Sequence, residues 1–509
     1  MQKNFLRKES NMRSGAEYIE SLKRMNPVIY YRGKRIDNVV DHPLIKWSVN
    51  TIAQIYDWNR DPRFADILTA TSPLTGDRIN RFMHVFGSVD DLMARQRQIR
   101  FLEEKLGSCT LMCTMLGGIN SLYSTTYDMD QKYGTNYHQR FREWLSRVHK
   151  EDLFAPMAMM DAKGDRSLSP GRQADPDLFL RIVEERQDGV VVRGAKAHQT
   201  APMIAEESIV LPCDVMRDET ERNYAIAFAI PADTKGITYI YQHNLADAFV
   251  VASDRMDLGN AKYGCQFGTT ALMVFNDVFV PKERIFMQGE WEFTRQLVSR
   301  TGTMARLWQV GCRPGIFSLL TGATRLMAEY NGVANSAHIR DKLTTMSCLT
   351  ETIWGLSLGA AACGEPTPSG AYLPNLLLTN IAKFQSTNSW YELEKIATDV
   401  CGGLVVTVPS AEDFKNPETS GYLEKYFKGV AGIPTEHKMR MVRFIQAFVG
   451  GPVAGALHHS GGPMENQKIV IHRETDFEHK KKAVKILAEI EDGELVDLGR
   501  TPFPKAKSA

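Results

Sequence analysis

The sequence contains no apolar run long enough to cross a membrane. A spanning helix needs about 18 to 20 consecutive apolar residues. The best candidate, Thr352 to Cys363, is too short and is rich in Gly and Ala. The N-terminal stretch MQKNFLRKESNMRSGAEYIESLKRMN also lacks the apolar centre of a secretory signal. An excess of either charge is missing too. The 61 Lys and Arg against 60 Asp and Glu leave a formal net charge of +1, so no basic field favours nucleic acid or an anionic membrane. Cysteine is sparse, with eight in 509 residues (109, 113, 213, 265, 312, 348, 363 and 401). Without a signal, these thiols are expected to stay reduced. Internal repeats and low-complexity segments are absent as well. These absences predict a soluble cytoplasmic protein with no nucleic-acid or membrane partner.

What is present is ordinary globular composition, 43% hydrophobic and 24% charged. The length allows two to four domains with ample core. Residues 1–150 read as helical. Ser14 to Arg24 is amphipathic, and Asp90 to Leu106 carries apolar residues at helical spacing among many charges. Between them Val39 to Pro43 breaks helix, because proline restricts the residue before it. After Gly107-Ser108, Cys109 opens a nearly uncharged run to Tyr127, which predicts a buried helix. From 151 to 290 the pattern changes to short strands and turns, at Ile209-Val-Leu-Pro, Tyr224 to Ile230, Gly236 to Ile240 and Ala271 to Phe275. Asn276 to Pro281 is expected to leave the sheet, with Pro281 closing the last strand. From about 291 to 485 helices return: Arg300–Asn331, Asn335–Ala362, Leu373–Val400 and Glu436–Phe448 suit a four-helix bundle. The tail Thr501–Ala509 has two prolines and little apolar surface, and is expected to be disordered.

The most informative stretch is Asp188 to Thr200, D-G-V-V-V-R-G-A-K-A-H-Q-T. Val190 to Val192 are β-branched and follow an Asp-Gly turn, which predicts a strand leaving a hairpin. Gly194 permits close backbone approach, and Ala195 and Ala197 keep the surface shallow. Lys196, His198, Gln199 and Thr200 then place polar groups at a strand end. Two readings stand: an ordinary hairpin with a solvated second strand, or a platform for a flat cofactor with a polar edge, such as a flavin.

Several further words carry a family resemblance: Y-D-M-D-Q-K-Y-G-T-N-Y-H (Tyr127–His138), D-A-K-G-D-R (Asp161–Arg166), D-P-D-L-F-L-R-I-V (Asp175–Val183), R-G-A-K-A-H-Q-T (Arg193–Thr200), Tyr330-Asn331-Gly332 and Cys401-Gly402-Gly403 to Ser410. Over most of its length the chain resembles the 4-hydroxybutyryl-CoA dehydratases, within the wider 4-hydroxyphenylacetate 3-monooxygenase family. The resemblance implies an α+β, acyl-CoA dehydrogenase-like fold: an N-terminal helical domain (1–150), a middle β-barrel-like domain (151–290) and a C-terminal four-helix bundle with tail (291–509). It also implies bound FAD, an acyl-CoA substrate and a homotetramer. For the flavin site it points to Met159, Asp161, Lys163, Asp165, Arg166, His198, Gln199, Thr200, Tyr330, Asn331, Gly332, Gly402 and Gly403, with Thr200 near the reactive nitrogen. Arg166 could neutralise a phosphate or a reduced flavin; pairing with Asp165 or Asp161 is its plainer alternative.

Cysteines separate the family's branches. The dehydratases hold a [4Fe–4S] cluster through a C-x3-C pair, a His and a later Cys. Here Cys109 and Cys113 keep the pair's spacing, which on a helix puts both sulfurs on one face, and Cys312 matches the third cysteine. By itself C-x3-C also describes two buried structural cysteines. The chain departs from the pattern elsewhere. The ligand His position is Ala305, the Tyr is Gln309, the Lys is Arg313, the β-domain Glu is Thr270, and a late Glu aligns near Gly455. Alanine can neither ligate iron nor move a proton, so the catalytic acid and base are unassigned. The resemblance therefore implies an FAD- and [4Fe–4S]-dependent dehydratase or isomerase of a hydroxyacyl-CoA or enoyl-CoA, with iron as Lewis acid and flavin as one-electron partner. The alternative is a two-component FAD-dependent aromatic monooxygenase served by a flavin reductase. Its C-terminal wording is shared at Ala371–Pro374 and Asp413–Pro417, but its substrate Arg and Tyr are missing near Cys109.

Overall fold

The computed structural model describes residues 12–242, 250–252, 255–257 and 269–502. Most of the expected tail (503–509) and Cys265 lie outside the described residues. The α+β order implied by the resemblance, helices followed by strands followed by helices, is what the chain adopts.

The first helix, Gly15–Arg24, starts at a capping box in which Ser14 and Glu17 satisfy each other's backbone. The N-terminal part is not all helix. Val28–Tyr31 and Lys34–Ile36 form a hairpin whose turn residues Arg32 and Gly33 both take positive φ. Its β-branched and aromatic residues suit a pleated surface, and it extends a six-stranded sheet. That sheet runs in the order Lys34–Ile36, Val28–Tyr31, Ile237–Tyr241, Thr270–Pro281, Gly189–Thr200, Arg181–Arg186. A second sheet holds Ile285–Gln288, Ile226–Pro231, Glu207–Val210 and Met157–Ala158. The barrel-like middle part is thus two open sheets. The strand from Thr270 also does not leave the sheet at Asn276 but continues to Pro281. A register shift between Phe275 and Val278 absorbs Asp277, whose φ is +52°, so Asn276 and Asp277 mark a bulge rather than an end.

Thr294–Tyr330, Ala337–Ala362, Leu376–Cys401 and Thr435–Val449 pack as the C-terminal bundle. Trp390 is fully buried there, stacked on Phe317 with ring centroids 5.6 Å apart. The long helix Thr294–Tyr330 also reaches into the N-terminal part. It packs against Val89–Leu106, where a Cβ on Gly315 would stand 2.7 Å from the Arg100 carbonyl oxygen, and against Cys113–Tyr133. These helix contacts fix where Cys113 and Cys312 come to rest. Among the described residues, no helix is long and apolar enough to cross a membrane.

Candidate functional site

The strand Gly189–Thr200 is held against the segment Met159–Asp161. Ala197 N–H donates to the Met160 carbonyl (2.9 Å), and the Gln199 amide donates to the Met160 carbonyl (2.6 Å) and to that of Ala197. Lys196 was read above as an edge donor; instead it is buried. Its ammonium donates to Asp161 Oδ1 (2.5 Å), the Met159 carbonyl (3.2 Å) and the Leu211 carbonyl (2.6 Å). Asp161 is therefore committed to Lys196 and, through Oδ2, to the Cys213 N–H (3.1 Å). It shapes the segment and is not free for a ligand. Beyond it, Lys163, Asp165 and Arg166 run out into an exposed loop, where Asp165 caps Ser167 and Arg166 forms no ion pair among the described residues.

At the strand's end, His198 (φ +59°) and Ala201 (φ +60°) are both left-handed, a costly backbone for residues other than glycine that concentrates at functional sites. Thr200 lies between them, half-buried, and its hydroxyl makes no hydrogen bond among the described residues. Directly across the sheet stands Thr270, where the resemblance implies a Glu. The exposed side chains of Met160 and His198, the latter bonded through Nδ1 to Gln242 (3.1 Å), complete a shallow platform with unused polar edges. That donor set suits a flat ring system with hydrogen-bonding edges.

The cysteines are arranged by a different local geometry from the one expected. The helix starts at Cys113, not Cys109. Gly107 ends the preceding helix in the left-handed region, and Leu111 takes φ +61°, so residues 108–112 form a turn. Both sulfurs meet across that turn instead of along a helical face. Leu111 N–H donates to Cys109 Sγ (3.4 Å), and the Cys109 thiol hydrogen-bonds Cys113, which raises Cys109 and lowers Cys113. The third sulfur arrives by helix packing. A Cβ on Gly117 would stand 2.6 Å from the Trp308 ring, so the two helices touch there, and they run antiparallel because Ser121 meets Thr301 further along. One turn back from Gly117 is Cys113; one turn on from Trp308 is Cys312. The contact thus brings these two sulfurs to the same level. Among the described residues, no three His, Cys, Asp or Glu side chains are close enough to hold a single metal ion. A cluster of several irons spreads its thiolates over a wider pocket.

That pocket also contains charge that sequence reading missed. Arg95 is 1% exposed, and none of its three guanidinium nitrogens has a hydrogen-bond partner. Burial brings it down to about 10, against the pull of Cys113, Cys312 and Glu103. Glu103 is equally buried, with Oε2 unpartnered, and burial and then Cys113 push its carboxyl upward. Both were detectable in principle. Leu92, Arg95, Ile99, Leu102, Glu103 and Leu106 share one stripe of the helix, so two charges interrupt an apolar face.

On the far side of Cys312 the residues that replace the family's are structural clamps. Gln309 bonds the Ser460 carbonyl (3.0 Å) and the Gly461 N–H (3.1 Å). Arg313 donates to Ser386 Oγ and Thr387 Oγ1 (both 3.1 Å) and to the Leu457 carbonyl (2.6 Å). Ala305 packs against the core, and nothing approaches Gly455 within 4 Å where a Cβ would sit. Lys383 is buried beside Thr387 (2.8 Å); desolvation, then Arg313 and Arg306, bring it from 10.5 to about 6. Between those values the folded chain binds fewer protons at this site than the unfolded chain. Lys383 therefore makes stability rise with pH from about 6 to 10.5. Denaturant unfolding across that range should show Lys383→Met flattening the slope.

Tyr330–Gly332 and Gly402–Gly403 do not join the platform. Trp308 and Met157 both pack over Gly117, and Tyr330 lies about 33 Å farther along the helix axis at 1.5 Å per residue. Its carbonyl accepts from Val430 (2.9 Å), Gly332 turns the chain with φ +74°, and Gly402 and Gly403 are exposed at the end of Leu376–Cys401.

Comparison with known proteins matches this chain to the 4-hydroxyphenylacetate 3-hydroxylase family, its N-terminal part over residues 14–287 and its C-terminal part over 294–489. The 4-hydroxybutyryl-CoA dehydratase/vinylacetyl-CoA-Δ-isomerase of Clostridium aminobutyricum is 41% identical over 93% of this chain and 99% of its own. The structure of an oxygen-tolerant archaeal 4-hydroxybutyryl-CoA dehydratase from N. maritimus superposes with a TM-score of 0.91 at 38% identity, covering 98% of both chains. The oxygenase component of a 4-hydroxyphenylacetate 3-monooxygenase, solved with FAD, shares the fold with a TM-score of 0.80 at 21% identity, covering 94% of this chain and 98% of its own. The monooxygenase branch is thus distant, and the chain is an enzyme of the 4-hydroxybutyryl-CoA dehydratase type within the 4-hydroxyphenylacetate 3-hydroxylase family.

Proposed function

We propose that this enzyme dehydrates or isomerises a hydroxyacyl-CoA or enoyl-CoA, using FAD and a [4Fe–4S] cluster, as a cytoplasmic homotetramer. The observation that carries the reading is the gathering of Cys109, Cys113 and Cys312 at the contact between two antiparallel helices, beside a buried cation with no hydrogen-bond partner. FAD is proposed for the Thr200 platform because that hydroxyl is unused and the strained residues on either side hold it in place. When bound, the flavin would supply one-electron chemistry and the cluster a Lewis-acidic iron for a leaving hydroxyl.

The chain's own residues do the positioning. Lys196 and Asp161 lock the Met159–Asp161 segment to the strand, and Gln199 fixes the register, so Thr200 is presented without freedom to turn away. Arg313 clamps the long helix to Leu376–Cys401 and to the Leu457 carbonyl, which holds Cys312 at its level. Ala305 leaves room where the family has its ligand His, and Thr270 offers only a hydroxyl opposite Thr200. Substrate selection therefore differs from that of the dehydratases with His and Glu at these positions. The distance from the platform to Tyr330–Gly332 is too great for one bound flavin to contact both in one subunit, which supports a site completed by a neighbouring copy.

Protein purified without oxygen should contain iron and acid-labile sulfide with the flavin, and should convert 4-hydroxybutyryl-CoA, vinylacetyl-CoA or a related acyl-CoA. Flavin without iron in such protein, together with no turnover of any acyl-CoA, would overturn the reading.

A further inference from the structure

Among the described residues, Arg95 is the largest fully buried charged side chain with no hydrogen-bond partner. Its guanidinium sits over the Phe82 ring, 4.9 Å from the centroid. A cation–π contact answers part of the charge but none of the directional N–H donors. Buried charges are normally paired, and buried donors are normally hydrogen-bonded. A pairing partner is near at hand. Glu103 lies two turns along the same helix, within electrostatic range, yet no ion pair joins them and Glu103 Oε2 is itself unpartnered. Arg81, the other cation nearby, donates to the carbonyls of Ile67, Asp66 and Thr69 instead. The helix of Arg95 meets the long helix beside Cys312, where a Cβ on Gly311 would stand 2.7 Å from Ile99 and 2.8 Å from Gln96, and the charges that act on Arg95 are those of Cys113 and Cys312, then the repelling Arg81, then Glu103.

We propose that Arg95 is the anion partner of the iron–sulfur cluster assigned above to Cys109, Cys113 and Cys312: a positioning residue whose guanidinium fork donates to the thiolate and sulfide sulfurs. The inference rests on that cluster assignment and adds a residue to it. Three thiolates and the inorganic sulfides of a cubane give an anion with acceptors spread over several atoms. A planar fork with five donors matches such an anion better than a lysine point charge does. Hydrogen bonds to cluster sulfurs stabilise the bound state and tune its potential. The His missing at Ala305 removes one protein ligand, so retention of the cluster depends more heavily on such a partner.

The role has a signature that a scaffold arginine would not show. Without metal, Arg95 is a buried charge with unmet donors, so Arg95→Met should raise the unfolding temperature of the metal-free full-length chain. After anaerobic reconstitution with ferrous iron and sulfide, the same variant should lose iron to a chelator faster than wild type by about ten- to a hundredfold, the range for outer-shell partners of metal sites. Arg95→Lys, which keeps the charge but not the fork, should fall between the two. An Arg95→Met chain that melts lower without metal and keeps its iron as wild type does would overturn the proposal while leaving the cluster assignment intact. A wild-type chain that takes up no iron would overturn the assignment and the proposal together. Should Arg95→Met fail to fold, Arg95→Lys decides: faster iron loss than wild type supports the role, and equal loss rejects it.

Discussion

Replacing Cys109 or Cys312 by serine is expected to abolish the broad visible absorption of anaerobically prepared protein and its acyl-CoA turnover, while the flavin stays bound. Loss of an outer-shell partner alone costs about 10- to 100-fold in metal affinity, so loss of a direct thiolate should exceed that. The two substitutions test different parts of the structure. Cys109 stands on the turn made by the left-handed Leu111 and shares a hydrogen bond with Cys113. Its replacement leaves the helix contacts untouched. Cys312 depends on the packing of Trp308 against Gly117 and on the Arg313 clamp one residue along. Serine nearly preserves size, so the fold should persist in both, and near-UV circular dichroism should be unchanged. Iron and sulfide content, flavin content and turnover are the measurements. Wild-type iron content in both serine variants would show that these sulfurs hold no cluster.

The three-part order and the bundle could be read from composition and periodicity because long amphipathic helices and short β-branched runs have distinct periods. The errors fall where backbone conformation is not dictated by residue type. Leu111 at positive φ converts an expected helical C-x3-C into a turn, and nothing about a leucine signals that. Asp277 at positive φ converts an expected strand end into a bulge. The Val28–Ile36 hairpin was hidden inside a stretch read as helical, because its pairing partner, Ile237–Tyr241, is some two hundred residues away. At the site, the resemblance supplied Thr200 and the cysteines, and the structure shows what surrounds them. Lys196 read as an edge donor because lysine is almost always exposed. Arg95 and Glu103 were passed over for the same reason, being charged residues on a helix with many charges.

The positions where the resemblance implies other residues form a pattern when taken together. Gln309 and Arg313 are fully engaged in holding Ser460, Gly461, Ser386, Thr387 and Leu457, so they have become architecture. Ala305 and Thr270, by contrast, are smaller than the His and Glu that the resemblance implies there; Ala305 packs against the core and Thr270 pairs with Thr200. The absence of a proton-carrying side chain at these two positions is the argument for the substrate difference proposed above.

Lys196→Met should destabilise the folded chain by about 3–5 kcal/mol, the usual cost of removing one partner from a buried ion pair. Both side chains are almost fully buried, at 2% and 6% exposure, and Lys196 also satisfies the Met159 and Leu211 carbonyls. The substitution leaves Asp161 with the Cys213 N–H as its remaining donor. Burial already raises the Asp161 carboxyl, and Lys196 acts in the opposite direction. Without the cation the carboxyl should rise further. A folded-state value above the unfolded one means that the folded chain holds the proton more tightly, so stability is greatest when the group is protonated and falls as pH rises through the folded value. Lys196→Met should therefore recover stability on acidification, and wild type should do so less. Adding Asp161→Asn to Lys196→Met removes the stranded charge and should restore part of the loss, a coupling expected of residues in direct contact. Denaturant unfolding of wild type, Lys196→Met, Asp161→Asn and the double variant at several pH values measures this. Flavin retention should follow the same order, because the pair is what holds Met159–Asp161 against the strand that presents Thr200. Equal flavin binding in a Lys196→Met chain that is properly folded would show that the platform does not depend on this lock.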